Sequence, residues 1–292
     1  MTVDPLLAAV LDDPSDLSRR LVYADALQDR GDPRGEFIAH HIAGRPEADA
    51  LLKKHGKEWL AFLQPAVSRA GVRFINGFVE RMTLKVEHLD LLPGFLEREP
   101  IHEIRFRDLG AQAPRLAAMP DCTRKITWLD LKQGHIAGNG FVALMAGRWD
   151  RLWRIWAPSN GISDAGVQAL IDASPPQLRS LNLHGANLND MKLQRLAHWP
   201  GLARIEELNL RGNILSDAAI AALLANAPAL RWLGLPVVGP SAAAVLSGPL
   251  AKTIESLIVT NVDGTRDVLQ TLYGTRLTLQ AGYGSSFDIN WP

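Results

Sequence analysis

Two spacings of apolar residues divide the chain. Over residues 1–65 they recur every three or four positions, the period of amphipathic helices, with cap and stop residues between them. Asp4 before Pro5 opens a first helix whose stripe is Leu6, Leu7, Val10 and Leu11, and Asp13-Pro14 ends it. Ser15 is placed to cap a second helix, in which Leu17, Leu21, Ala24 and Leu27 form the expected buried side up to Gly31. Asp32-Pro33 opens a third, burying Phe37, Ile38 and Ile42 and ending at Gly44 and Pro46. A weaker helical pattern covers Glu47 to Leu63. From about residue 72 the pattern becomes short alternating runs at a nearly fixed interval, each opening on an apolar residue at Val79, Ile101, Ile126, Leu152, Leu178, Ile205, Leu230 and Ile254. Successive starts are 22, 25, 26, 26, 27, 25 and 24 residues apart, the signature of a repeat architecture.

The best copies are ITWLDLKQGHI from Ile126, LWRIWAPSNGI from Leu152, LRSLNLHGANL from Leu178 and IEELNLRGNIL from Ile205. In such a frame the first, fourth and sixth residues of a short strand point into the core, and a following Asn turns inward to satisfy loop backbone groups. Asn160 and Asn213 hold that place; Gly134, Ala186, Val238 and Val262 replace it elsewhere. A helical stretch follows each strand, as in SDAGVQALIDA from Ser163 and SDAAIAALLANA from Ser216, where serine caps and Val167, Leu170, Ile171, Ile220, Leu223 and Leu224 face the strands. These copies resemble leucine-rich repeats of the ribonuclease-inhibitor-like type. The resemblance implies an α/β solenoid with parallel strands on a concave face and helices on the convex face.

The stretch LVYADALQDRGDPRGEFIAHH, residues 21–41, resembles the bacterial repeat-companion domain, a short module found beside leucine-rich repeats. The likeness lies in Tyr23 to Asp25 and Gly31 to Ile38, and RFINGFVERMTL, residues 73–84, is similar to the stretch leading into the repeats. Ala26 departs from the family, which often carries Trp there. The implied organisation is a small all-helical domain over residues 1–65, then a solenoid of about eight repeats over 66–292 with an irregular C-terminal cap starting near Leu277. The resemblance implies architecture and brings no catalytic residues with it.

Outward-facing strand positions are the candidate binding surface, because residues flanking the inward leucines point to the opposite face. The third positions are Arg81, Glu103, Trp128, Arg154, Ser180, Glu207, Trp232 and Ser256; the fifth are Thr83, Arg105, Asp130, Trp156, Asn182, Asn209, Gly234 and Ile258. The seventh are Lys85, Arg107, Lys132, Pro158, His184, Arg211, Pro236 and Thr260. Seven bases against three acids make this face mildly basic, and three tryptophans are expected exposed on it. Trp and Arg dominate binding hot spots. The expected partner-binding residues are Arg105, Arg107, Trp128, Asp130, Lys132, Arg154, Trp156, Asn182, His184, Asn209, Arg211 and Trp232, centred on Trp128 and Trp156.

Composition narrows the function. Among 292 residues, 31 basic and 31 acidic side chains cancel, so no global field draws the chain to nucleic acid or an anionic membrane. One cysteine, Cys122, forms no internal disulfide, and the N-terminus shows no secretory signal, which together point to the cytoplasm. Cys122 with scattered His102, His135 and His184 makes no nucleophile-base motif, and the adjacent His40 and His41 point about 100° apart on a helix. In the Tyr23, Asp25, Asp32, Arg34 and Glu36 string, Asp32 reads as a cap, Glu36 as a first-turn acid, and Arg34 as a partner of Asp25 or Asp29. The expectation is no catalytic residue, no metal and no cofactor. The leading reading is a protein- or peptide-binding scaffold whose partner has some acidic character; an accessory subunit or motif-free enzyme is the alternative, and nucleic-acid binding a lower one.

Overall fold

The computed structural model describes residues 4–67, 69–136 and 138–280. Four helices come first: α1 (Pro5–Asp12), α2 (Leu17–Asp29), α3 (Pro33–Ile42) and α4 (Glu47–Trp59). Ten strands follow among the described residues: β1 (Val72–Ile75), β2 (Phe78–Lys85), β3 (Glu103–Arg107), β4 (Trp128–Gln133), β5 (Arg154–Trp156), β6 (Ser180–Asn182), β7 (Glu207–Asn209), β8 (Trp232–Val238), β9 (Ser256–Val262) and β10 (Leu277–Leu279). They form one sheet in chain order, antiparallel at β1–β2 and parallel from β2 onward, with helical segments between the strands.

The repeat frame appears directly in the pairing. Arg81, Glu103, Trp128, Arg154, Ser180, Glu207, Trp232 and Ser256, all third positions, stand opposite one another from strand to strand. The first, fourth and sixth residues of every frame are buried, from Val79, Met82 and Leu84 to Ile254, Leu257 and Val259. They join one continuous core with the helices behind the sheet. Serine caps form as expected: Ser163 accepts from Gly166 N, and Ser216 from Ala219 N. Asn160 donates to Leu131 and Pro158 carbonyls and accepts from Ile136 N; Asn213 donates to Leu183 and Leu210 and accepts from Leu188 N. Each ties its own repeat to the one before. Where Val238 replaces Asn, the Thr265 hydroxyl donates to its carbonyl from the following repeat.

Strand β1 was not anticipated. Asn76 and Gly77, at φ 48° and 83°, form the turn to β2, and that Asn-Gly dipeptide is the hairpin signal in the sequence. The turn docks on α3, where a Cβ at Gly77 would lie 2.6 Å from Ile38 Cα. Helices α1–α4 pack around a second apolar cluster, Val10, Ala24, Leu27, Phe37, Ile38, Ala48 and Phe78, so the hairpin touches both. In the helical segment, Gly31 takes a left-handed φ of 72° after α2, Asp32 accepts from Arg34 N, and Gly35 lets α3 approach α2 closely.

Three local expectations are corrected. The α2 cap is Asp16, which accepts from Ser18 N and Arg19 N, while Ser15 lies in the loop. Leu17 and Leu21 are exposed, and Arg20 takes the inward place with its aliphatic stem, its charge met from outside the helix. Arg34 pairs with Glu99 at 2.9 Å, not with Asp25 or Asp29. In the expected C-terminal cap, β10 pairs with β9 and extends the sheet, and the cap beyond Gln280 lies outside the described residues.

Candidate functional site

The outward positions separate into three rows with different chemistry. In the row of third positions, Arg81 forms an ion pair with Glu103 and places its guanidinium 4.2 Å from the Trp128 ring centroid. Arg154 approaches the same ring at 4.9 Å, and Trp156 stacks beside it at 5.9 Å with 9° between planes. Trp128 is thus held by two guanidinium groups and a second indole, an arrangement stabilised by the ring quadrupole. Arg154 also donates to the Ser180 hydroxyl at 3.1 Å and to Glu207 at 2.7 Å. Burial draws the Arg154 guanidinium below its ordinary value, against the opposing pull of Glu207.

In the row of fifth positions, Arg105 pairs with Asp130 at 2.5 Å. Asp130, Asn182 and Asn209 each accept, through Oδ1, from the backbone N–H two residues on: Lys132, His184 and Arg211. All three are buried, so their side chains serve the strand ends. Gly234 continues the row without a side chain because Asn209 Oδ1 and Arg211 Cδ fill that space, at 2.7 and 3.1 Å from where a Cβ would be.

The seventh positions keep the charge. Glu103, Asp130 and Glu207 are each engaged by an arginine of the first two rows, leaving Lys85, Arg107 and Arg211, all in this third row. The mildly basic face is therefore one neutralised pair of rows beside one cationic row. The β3–β4 register slips after Arg105, so Gln133 rather than Lys132 stands opposite Arg107. Burial, then the Arg211 charge, lowers His184 below the ordinary histidine value, so it is neutral at pH 7.

Of the expected site residues, the structure brings Arg105, Trp128, Asp130, Arg154 and Trp156 together. Asn182 and Asn209 end the strands β6 and β7, and His184 and Arg211 lie two residues beyond them, with the two asparagines and Arg211 buried. Trp232, expected exposed, is only 7% exposed. Arg107 is exposed and Lys132 half-buried. Beside the Trp128 cluster is a cavity of about 160 Å³, bounded by Arg81, Glu103, Arg105, Trp128 and Asp130 and by the Ala70–Arg73 segment leading into and starting β1. The Trp128 indole Nε1 is buried and has no hydrogen-bond partner among the described residues. Sequence reasoning missed this wall because β1 was not foreseen.

Cys122 is buried, and burial pushes its thiol up to about 11, which keeps it protonated near neutral pH. Among the described residues, no group of three or more His, Cys, Asp or Glu is placed to hold a metal ion, and no helix is long and apolar enough to cross a membrane.

No family model matches the chain, and no curated protein matches it. Solved structures with a similar course include the leucine-rich repeat-containing protein LegL7 from Legionella pneumophila, at 18% identity and a TM-score of 0.42, over 61% of this chain and 64% of that one. A structure of the Rad7 and Elc1 complex in yeast matches at 15% identity and a TM-score of 0.41, over 96% of this chain. This chain spans 60% of that yeast chain, so it covers less than two thirds of either neighbour.

Proposed function

We propose that this protein is a non-catalytic binding module: residues 66–292 form a leucine-rich-repeat solenoid whose concave sheet face grips a polypeptide, and residues 1–65 form its helical companion domain. The observation that carries this reading is the stacked Trp128–Trp156 pair, 5.9 Å between ring centroids, with Trp128 lining the 160 Å³ cavity. Trp128 and Trp156 supply apolar area that is already ordered by its neighbours, so little side-chain entropy is lost on binding. The cationic row of Lys85 and Arg107 alongside favours an acidic segment. A single buried free thiol fits the cytoplasm.

The test is affinity capture from a lysate of the source cell, comparing wild type with a Trp128→Ala, Trp156→Ala variant shown by circular dichroism to be folded. A polypeptide held by wild type and lost by the variant supports the reading. An unchanged set of partners places binding elsewhere on the molecule, and recovery of nuclease-sensitive material in place of a polypeptide overturns it in favour of nucleic acid.

A further inference from the structure

The repeat frame also builds the N-terminal edge of the sheet, where the α1–α2 loop overhangs it. Between loop and edge is a cleft of about 820 Å³, lined by apolar Leu11, Pro14, Leu17 and Leu96 and by His102, Lys125, Thr127 and Arg151 along the repeats. A second recess of about 530 Å³ shares Leu11, Leu96, Lys125 and Arg151 with it. Small-molecule sites are commonly clefts of about 300–1,000 Å³ with mostly apolar walls and a few placed polar groups.

The charges of this cleft are arranged unevenly. Most of its floor is paired and fixed: Arg20, 1% exposed, pairs with Glu80 at 2.7 Å and donates its remaining bonds to the carbonyls of Pro14, Ile75 and Asn76. Glu99 is held by Arg34 and by Val79 N. Asp12 pairs with Arg19, and Asp13 accepts from Ser15. The Lys125 ammonium, by contrast, has no hydrogen bond or ion pair among the described residues, and Arg151 has only a 3.5 Å bond to the Asp12 carbonyl. Lys125 and Arg151 each immediately precede a frame, before Ile126 and Leu152, and both line this cleft. A point-charge ammonium beside a planar guanidinium fork, both unpaired by carboxylates, suits a dianion with several acceptor oxygens better than a single carboxylate, which the fork alone would saturate. Further along the edge, His102 lines the cleft, with Nδ1 2.9 Å from the Pro100 carbonyl and Nε2 3.6 Å from Glu80.

We propose that this cleft binds a small phosphorylated molecule, with its phosphate between Lys125 and Arg151 and its hydroxyl-bearing body against His102. The site is separate from the Trp128 cluster and does not depend on the reading of that face. Calorimetric titration of the full chain at low ionic strength, using inorganic pyrophosphate and glycerol phosphate as probes, tests it. Both probes should bind wild type, and Lys125→Met with Arg151→Met should weaken both by about tenfold or more, the scale of one lost charge-assisted bond. Lys125→Arg should retain binding, His102→Gln should weaken glycerol phosphate selectively, and Trp128→Ala should change neither. Absence of heat from both probes, or equal affinity in the folded Lys125, Arg151 double variant, overturns the proposal.

Discussion

Arg154 and Glu207 meet across two strand intervals, Nη2 to Oε2 at 2.7 Å, and the Ser180 hydroxyl between them donates to the same carboxylate oxygen at 2.5 Å. Both charges are largely removed from water, with side chains 8% and 12% exposed. Removing one member of such a pair strands the other, whereas replacing both with apolar groups removes the penalty as well as the attraction. Arg154→Ala is therefore expected to lower stability by about 3 kcal/mol or more in urea unfolding, and Arg154→Met with Glu207→Leu to recover most of that. An unchanged midpoint in Arg154→Ala would show that the pair contributes nothing.

Gly35 and Gly44 are glycines for different reasons. A Cβ at Gly35 would lie 2.4 Å from the Ala24 carbonyl oxygen and 2.8 Å from Gln28 N, both backbone atoms of α2, so α3 would have to move. Gly44 has open space around it but a left-handed φ of 64°. Gly35→Ala is expected to cost about 1–3 kcal/mol through displaced packing. Gly44→Ala should cost about 1 kcal/mol through backbone strain alone. Crystal structures of the two variants would distinguish them, with a shifted α3 only in Gly35→Ala.

The repeats were legible because each leucine position is fixed by one short strand, so a single frame predicted both burial and cross-strand register. Arg20 was not legible: a long aliphatic stem can occupy a helix's inward stripe, and its partner Glu80 lies 60 residues away. The candidate face was read in part. Its side chains were assigned to the correct face, but pairings such as Arg81–Glu103 and the backbone-directed roles of Asn182 and Asn209 depend on the distance between strands and the turn after each one. Trp232 shows the same limit, since its strand position predicts direction and its neighbours determine exposure.

Asn213 satisfies buried carbonyls of Leu183 and Leu210 and the N–H of Leu188, and Asn160 does the equivalent work two repeats earlier. Alanine at either position leaves two buried backbone groups unpaired, Pro158 O with Ile136 N or Leu210 O with Leu188 N, while Leu131 and Leu183 O keep Gly134 N and Ala186 N, at an expected cost of about 2 kcal/mol or more for each variant. The sites are two strand intervals apart, roughly 10 Å, so the two losses should add in the double variant. Chemical denaturation of the four-member set checks this. A double loss well below the sum would mean that the two asparagines support a shared, collapsible unit.

Asp217 joins adjacent repeats through a helix cap. It lies in the helix Asp217–Leu224, yet accepts from Gly239 N at 2.9 Å, Ser241 N at 2.7 Å and Ala242 N at 3.0 Å at the start of the helix Pro240–Leu246. Partial burial works to raise its carboxyl, but the bonds from Ala242, Ser241 and Gly239 outweigh it and hold the group below its ordinary value of 3.8. A folded-state value below the unfolded one means that folding favours the carboxylate, so its stabilisation is fully present above the unfolded value and is lost as pH falls through 3.8 toward the folded value. Asp217→Asn should cost about 1 kcal/mol at neutral pH, as other lost caps do. Urea unfolding from pH 7 downward should show the gap between wild type and Asp217→Asn closing in that acidic range, and a gap constant with pH would assign the effect to shape rather than charge.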